Sequence, residues 1–475
     1  MASVLFKRTP VGKSIQPSPD PAPVSGEGPV EASLRQPLSA LFFGEAGIVA
    51  RLVPWARKGG FALLDQGFIS GSNFVIAILL ARWLTPEQYG TYAVAFGVFV
   101  LVVIVYQSLV LEPLAVFGAS SYRDSLRNYL RSVIRIYAVL WIPILALLGA
   151  GVLYVRVSGQ SAGFPGALLG VMIAGPCVLL FWVGRGTFYV KLAPAFAAAG
   201  AVVYSCLALG GLYLADRRGY ISPFVAFLLI AIAALGTAIV LFFLLNRNLP
   251  SGGESLPTWT IWNRHWGYGR WALASCVAGW IPAYIYYPLL SSFSGMSQSG
   301  QLKALMNLTL PLEQTKAAMS LLLLPYAATV YQREGESGAS SVAGKITFFT
   351  AGIGIVYWSV LIPLQKPLFH LLYSDRYLEV AHLLPIVALG SVFYSGALGA
   401  AIVLRAIDNP GLLFGAFGAA TVLSLLVGIP ATKMFGLPGA IWGSNIADIA
   451  SLVIAVLVLR YKLAMKPKTA PDLAG

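Results

Sequence analysis

Runs of about twenty consecutive apolar residues recur along nearly the whole chain after residue 59. A helix of about 20 such residues crosses a hydrocarbon core about 30 Å thick. Within lipid every backbone N–H and C=O needs a partner, and an α-helix supplies these partners from its own residues. The sequence therefore predicts an all-α integral membrane protein that crosses the bilayer many times.

The charge content agrees with this prediction. Charged residues make up 11% of the 475 residues and hydrophobic residues 58%, whereas about 25% of a soluble domain is charged. The net charge of +14 would favour nucleic-acid binding in a soluble protein. Here we attribute it to membrane topology, and we predict no nucleic-acid partner.

The apolar runs predict twelve membrane spans in two groups of six. Their approximate limits are 60–81, 90–112, 132–155, 165–186, 192–214, 221–245, 268–290, 301–330, 346–365, 378–404, 411–431 and 438–459. The predicted regions are a basic, proline-rich tail with an interfacial helix (1–58), an N-terminal lobe (59–245), an interlobe linker (246–267), a C-terminal lobe (268–462) and a C-terminal tail (463–475). The first tail is too poor in large apolar residues to fold alone.

The distribution of positive charge predicts the orientation of these spans. With the N-terminus inside, 23 Lys and Arg residues fall on the cytoplasmic side and seven on the outer side. Cytoplasmic connections retain Lys and Arg. Both termini of this multi-pass protein are therefore expected in the cytoplasm.

A short repeat supports the division into two lobes. Leu79, Leu80, Gln88 and Gly90 recur as Leu289, Leu290, Gln298 and Gly300, at an offset of 210 residues. The matches fall at equivalent places in the two halves, as a duplicated six-helix lobe requires.

Three segments resemble polysaccharide exporters of the MOP (multidrug, oligosaccharidyl-lipid, polysaccharide) flippase superfamily. They are LLARWLTPEQYGTYAVAFG at 79–97, SDRYLEVAHLLPIVALGSVFYSGALGAAIVLRAIDNPG at 374–411 and FGLPGAIWGSNIAD at 435–448. They resemble, in order, the turn between the first two spans, the outer loop with the tenth span, and the entry to the last span. The resemblance covers roughly residues 59–462; the long N-terminal tail departs from it.

The resemblance implies two six-helix lobes around a central cavity in a bacterial inner membrane. It implies a flippase that moves a polyprenyl-diphosphate-linked oligosaccharide, such as an O-antigen or exopolysaccharide repeat unit, from the cytoplasmic to the outer leaflet by alternating access. The expected partners are this lipid-linked sugar, membrane lipids and the polymerase or export machinery that uses the product.

Ionisable and polar residues within spans are the candidates for the site, because such residues are expensive in lipid. In the eighth span, Lys303 and Asn307 share one face, and Glu313 and Lys316 share another beyond a kink expected at Pro311. We predict that they line the cavity. The alternative is that Glu313 and Lys316 form a structural ion pair.

The first two spans supply further candidates. Gln66, Ser70 and Asn73 form a polar stripe next to Asp65, which fits either cavity lining or hydrogen bonding between helices. Glu112 lies near the inner end of the second span, where it fits either the cavity or an interfacial pair with an arginine.

Two arginines at the predicted cytoplasmic ends of spans fit a diphosphate. A guanidinium forms a bidentate fork that suits phosphate oxygens, so Arg185 and Arg270 are candidates for the first contact with the substrate. The alternative is that each extends to the interface to keep its charge in water.

No cysteine or histidine spacing predicts a cofactor or metal site, and no catalytic motif predicts an enzyme. Two alternative functions stay open at this point. One is a cation-coupled multidrug exporter of the same superfamily, which Asp65 and Glu112 would permit. The other is a membrane enzyme of polysaccharide assembly, which the short outer loops disfavour.

Overall fold

The computed structural model describes residues 45–158, 163–249, 256–407 and 410–464. The chain divides into two compact units, residues 1–57 and 58–475. The first unit is helical from Glu45 onward, and residues 1–44 of the tail predicted over 1–58 lie outside the described residues. Most of the predicted C-terminal tail also lies outside them. The second unit contains everything discussed below.

Fifteen α-helices account for most of the described chain. They are α1 (Glu45–Trp83), α2 (Pro86–Tyr106), α3 (Glu112–Ala119), α4 (Leu126–Val157), α5 (Phe164–Val190), α6 (Pro194–Arg217), α7 (Pro223–Asn248), α8 (Thr258–Tyr284), α9 (Tyr286–Phe293), α10 (Met296–Asn307), α11 (Leu310–Leu361), α12 (Gln365–Tyr373), α13 (Leu384–Ala406), α14 (Pro410–Phe435) and α15 (Leu437–Ala464). A π-helical turn, Gln107–Leu111, joins α2 to α3, and a 3₁₀ turn, Leu378–Leu383, precedes α13.

Eleven helical segments of the described chain are long and apolar enough to cross a membrane, against the twelve predicted. The difference lies in α11, which has 52 residues and would measure about 78 Å as one straight helix. Inside it Gly335 has φ 64° and ψ −145°, a conformation that interrupts an α-helix and that glycine adopts readily. Two helices therefore meet at Gly335, and they correspond to the eighth and ninth predicted spans.

The seventh and eighth predicted spans are both interrupted, as their prolines suggest. Near Pro282 and Pro288, α8 gives way to α9 at Ile285. The break between α10 and α11 falls at residues 308–309, just before Pro311. Proline suits the first turn of a helix, where its missing N–H would have no helical partner. The helix α8 begins at Thr258, inside the stretch that the sequence assigned to the linker.

The helices form two groups that correspond to the two halves of the sequence. In the first half α7 packs against α5 and α6, and α2 and α4 pack against α5. In the second half α13 packs against α11 and α15, and α14 packs against α15. The two groups meet mainly where α2 contacts α8, α9 and α10. Large apolar side chains such as Ile142, Leu147 and Phe348 remain exposed on the outside, where lipid would cover them.

The closest approach of the two groups lies at the crossing of α2 and α10. We call the membrane side that carries residue 57 the proximal side and the opposite side, which carries the turn at residues 84–85, the distal side. A Cβ atom on Gly90 would lie 1.8 Å from the Met296 carbonyl oxygen, and one on Gly300 would lie 2.3 Å from the Pro86 oxygen. The two glycines that match in the repeat thus contact each other at this distal crossing.

Candidate functional site

The only ion pair between helices of the first half, among the described residues, joins α1 to α5. Asp65 is fully buried, and Arg185 donates to both of its carboxylate oxygens, with Nε to Oδ1 at 2.7 Å and Nη2 to Oδ2 at 2.5 Å. The Tyr189 hydroxyl, one turn further along α5, donates to Oδ2 at 2.5 Å. A bidentate pair with a third donor leaves this carboxylate well neutralised. Two sequence candidates therefore bind each other.

Lys303 lies in the crossing of α2 and α10, where the two groups of helices meet. Its side chain is 7% exposed, and its Nζ lies 4.7 Å from the centre of the Phe96 ring on α2. No ion pair of the described residues includes it. A cation–π contact compensates only part of the cost of removing an ammonium from water, so an ammonium at Lys303 would still lack the stabilisation that a counter-ion provides.

Asn307 occupies the next turn of the same face of α10. Its Nδ2 donates to the Tyr89 hydroxyl at 2.8 Å, and Tyr89 in turn donates to the Ala77 carbonyl. Its own Oδ1 is buried without a hydrogen-bond partner. Lys303 and Asn307 do share a face, as their spacing predicts, but this face packs against α2 instead of open water.

A second charged cluster lies within the C-terminal half. Lys316 is 6% exposed, its Nζ donates to Oε1 of Glu313 at 2.6 Å, and it lies 4.0 Å from the centre of the Tyr394 ring on α13. Asp448 on α15 is close enough to interact electrostatically with Lys316 and Glu313. The ion pair considered from sequence is therefore present, and it belongs to a larger cluster of three helices.

The polar stripe on α1 remains accessible. Gln66 and Asn73 are exposed, and Gln66 donates to the Ser70 hydroxyl at 3.0 Å. Ser70 then donates to Oε1 of Gln314 on α11 at 3.1 Å, which connects the two halves. Exposed amides at membrane depth require water, because lipid offers them no hydrogen bonds. We call the polar surface formed by Gln66, Ser70, Asn73, Glu313 and Gln314 the interlobe groove.

The two remaining candidates lie away from both charged clusters. Glu112 is half-buried at the start of α3, next to Gln107 and Cys276, and no ion pair of the described residues includes it. Arg270 is exposed on α8 with its guanidinium 5.7 Å from the Trp271 ring centre. The interfacial arginine pair considered for Glu112 is not formed.

Further contacts close the distal side. Nη1 of Arg376 donates to the Leu84 carbonyl at 2.6 Å, and the Tyr377 ring lies 6.2 Å from that of Tyr89. The Tyr373 hydroxyl donates to the Ala304 carbonyl at 2.8 Å. The Arg376 and Tyr377 contacts, together with the glycine crossing, join the distal ends of the two groups, whereas the Tyr373 bond lies within the second group.

The proximal side has its own contact between the groups. His265 on α8 is fully buried; its Nε2 lies 2.7 Å from the Tyr129 hydroxyl and its Nδ1 2.9 Å from the Leu109 carbonyl. Both ring nitrogens are thus satisfied. This histidine is a packing residue of the contact between α8 and α4.

Sequence reasoning missed the partners of the charged groups. Phe96, Tyr189 and Tyr394 appear as ordinary apolar residues of their spans, and no local spacing connects them to Lys303, Asp65 or Lys316. Asp448 lies four residues after Ser444 and three before Ser451, a spacing that by itself favours helix packing. The one available signal was that Asp448 is an acidic residue inside a span, which by itself marks a functional candidate.

The fold is shared with solved transporters. A multidrug resistance MATE family transporter of the MOP superfamily, in an inward-facing conformation, superposes with a TM-score of 0.69 at 13% identity, over 86% of this chain and 100% of that one. Lipid II flippase MurJ, in an inward closed conformation, gives 0.64 at 15% identity, over 84% of this chain and 87% of that one. A eukaryotic MATE transporter gives 0.56 at 14% identity, over 86% and 96%.

These neighbours are two transporters and a flippase. No protein-family model matches the chain, and no curated protein matches it either. The chain is a multi-pass helical membrane protein with the fold of the MATE and MurJ transporters of the MOP superfamily.

Proposed function

We propose that this protein is a flippase for a polyprenyl-diphosphate-linked oligosaccharide in a bacterial inner membrane. The polar head would cross through the interlobe groove while the prenyl tail stays in lipid. The proximal side would be cytoplasmic, in agreement with the excess of positive charge predicted there. The product would supply a polymerase or export machinery.

The burial of Lys303 without a counter-ion among the described residues is the observation that carries this proposal. It lies where the two groups of helices meet, next to Phe96 and away from every carboxylate that forms an ion pair in the described chain. A buried cation without a counter-ion favours an anionic ligand, because the ligand replaces the lost hydration. A diphosphate carries the matching charge.

The physical barrier explains why such a substrate needs a protein. Each polar group that enters hydrocarbon without a partner costs several kcal/mol, and a sugar chain with a diphosphate carries many such groups. The exposed amides of Gln66, Asn73 and Gln314 offer hydrogen bonds to sugar hydroxyls along the groove. No covalent bond needs to be broken.

The membrane potential would assist export of the anionic head. A potential that is negative inside favours outward movement of each negative charge by about 2.3 kcal/mol per 100 mV. Alternation between the present distal closure and a state with the Gly90–Gly300 crossing open would expose the groove to each side in turn.

Replacing Lys303 by methionine tests this assignment. The substitution keeps most of the side-chain volume next to Phe96 and removes the charge. A hydrogen bond to a charged group contributes about 1.5–3 kcal/mol, so we expect the rate of translocation to fall by roughly 10- to 100-fold. The measurement is the leaflet distribution of polyprenyl-diphosphate-linked sugar in cells that carry the variant.

The exposed Lys345 on α11 provides the matched control, as Lys345→Met removes a lysine charge far from the crossing. Cells with this control variant should export lipid-linked sugar at the normal rate. Normal outer-leaflet sugar in cells with Lys303→Met would contradict the assignment of Lys303 as a substrate contact.

A cation-coupled multidrug exporter is the second candidate. It is favoured by the MATE transporter with the TM-score of 0.69 and by the cluster of Glu313, Lys316 and Asp448, where two carboxylates face one lysine. Asp65 does not favour it, because Arg185 already occupies both carboxylate oxygens. If this function is correct, Asp448→Asn should abolish resistance to cationic drugs and leave lipid-linked sugar export unchanged. Under the flippase proposal, removal of the whole protein should leave drug resistance unchanged.

A further inference from the structure

A groove lies between α4 and α7 on the outside of the N-terminal half, away from the interlobe groove. Its volume is about 340 Å³, within the roughly 300–1,000 Å³ typical of small-molecule sites. We call it the α4–α7 groove. It is lined by Arg127, Leu130, Arg131, Ile134, Arg135, Phe242, Leu245, Asn246 and Leu249.

One rim of the groove carries three arginines spaced by four residues along α4. This spacing places their guanidinium groups in a row on one helix face, where like charges destabilise the helix unless an anion lies between them. Arg127 donates to the carbonyl and the side-chain oxygen of Asn246. Arg135 is exposed and makes no hydrogen bond or ion pair with the described part of the chain. None of the described residues that line the groove is acidic.

The floor of the groove is apolar. Leu130, Leu245 and Leu249 are buried, and Ile134 and Phe242 are half-buried beside them. An acyl chain would bury apolar surface against this floor, whereas a free phosphate ion has no apolar surface to bury. The combination of basic rim and apolar floor therefore matches an amphiphile with an anionic head.

The position of the groove matches the level of lipid headgroups. It lies on the proximal side, where α4 begins at Leu126 and α7 ends at Asn248. Basic residues at the membrane surface attract anionic lipids, and guanidinium groups bind phosphate through paired N–H groups.

We propose that the α4–α7 groove binds one anionic phospholipid, with its phosphate between Arg131 and Arg135 and an acyl chain on the leucine floor. The bound lipid neutralises the arginine row and packs α4 against α7. This site is independent of the transported substrate, since it opens to the surrounding bilayer.

The test measures phosphatidylglycerol retained by the purified full chain, using native mass spectrometry after equilibration in mixed micelles. Arg131→Gln with Arg135→Gln should weaken retention by about 25-fold, since each basic residue near the surface contributes roughly fivefold. Ile134→Trp, which fills the floor and keeps all charges, should also lower retention. Zwitterionic phosphatidylethanolamine should be retained poorly by the unaltered protein, and inorganic phosphate should not displace phosphatidylglycerol.

The matched control is Arg217→Gln with Arg218→Gln, which removes two exposed arginines at the end of α6 on the distal side. Retention should not change in this variant. Equal loss in the control, full retention in the α4 variant or equal binding of both lipids would overturn the proposal. If the α4 variant does not fold, the unaltered protein still tests the proposal. Its retention of phosphatidylglycerol should fall steeply with added salt, because salt screens the arginine charges. Retention that is independent of salt would overturn the proposal.

Discussion

Replacement of Arg185 by leucine is expected to destabilise the protein more than any other single loss of charge in the N-terminal half. The change leaves Asp65 fully buried with Tyr189 as its one remaining side-chain donor. Removing one partner of a buried ion pair costs about 3–5 kcal/mol. The melting temperature of the purified protein, measured by intrinsic fluorescence in detergent, should therefore fall sharply, and little active transporter should reach the membrane.

A second substitution separates the charge from the packing. Asp65→Asn combined with Arg185→Leu leaves no charge buried between α1 and α5. This double variant should therefore recover most of the stability that Arg185→Leu loses. Arg270→Leu is the control for loss of an arginine, as Arg270 is exposed and outside every ion pair of the described chain. Equal melting temperatures for Arg185→Leu and the unaltered protein would contradict the structural role assigned to this pair.

Substitution of Gly90 by alanine is expected to disrupt the distal crossing. The new Cβ would lie 1.8 Å from the Met296 carbonyl oxygen. Because this oxygen belongs to the backbone, the steric clash can be relieved only if α2 and α10 move apart. Overpacking of this kind costs about 1–3 kcal/mol, which would shift the population away from the closed distal state by about 10- to 100-fold. Transport should then fall, because the protein would rarely close on this side.

The accessibility of a single cysteine introduced at Ser299, buried in the same crossing, reports this opening. A membrane-impermeant thiol reagent added from the distal side should label it much faster in the Gly90→Ala background, with the three native cysteines replaced. Gly236→Ala on α7 is the control, since its Cβ would meet nothing within 4 Å. Unchanged labelling in Gly90→Ala would show that the crossing is not a closed gate.

The fold was largely predictable because lipid imposes a simple length rule on apolar helices. The predicted spans correspond to the observed helices, and the count differs only where α11 joins the eighth and ninth predicted spans across the kink at Gly335. Gly90 and Gly300, which match in the repeat, contact each other in the structure, although sequence alone gave no reason to expect that the two would meet.

The unusual residues within the spans could be recognised from sequence, but their partners could not. Span position identified Asp65, Lys303 and Lys316 as unusual, because ionisable groups at membrane depth are rare. Whether Arg185 would face a substrate or Asp65 depended on how α1 and α5 are rotated, which local spacing does not specify. The aromatic partners of the two lysines lie on other helices and carry no distinguishing pattern.

Translocation by the purified protein in liposomes tests whether this protein is a flippase for a lipid-linked oligosaccharide. A polyprenyl-diphosphate-linked oligosaccharide with a fluorescent sugar would be incorporated, and a membrane-impermeant quencher would report the fraction in the outer leaflet over time. We expect the protein to accelerate redistribution between leaflets, and Lys303→Met to abolish most of this acceleration. Liposomes with the folded protein that redistribute the lipid no faster than empty liposomes, while exporting a cationic dye, would contradict this function.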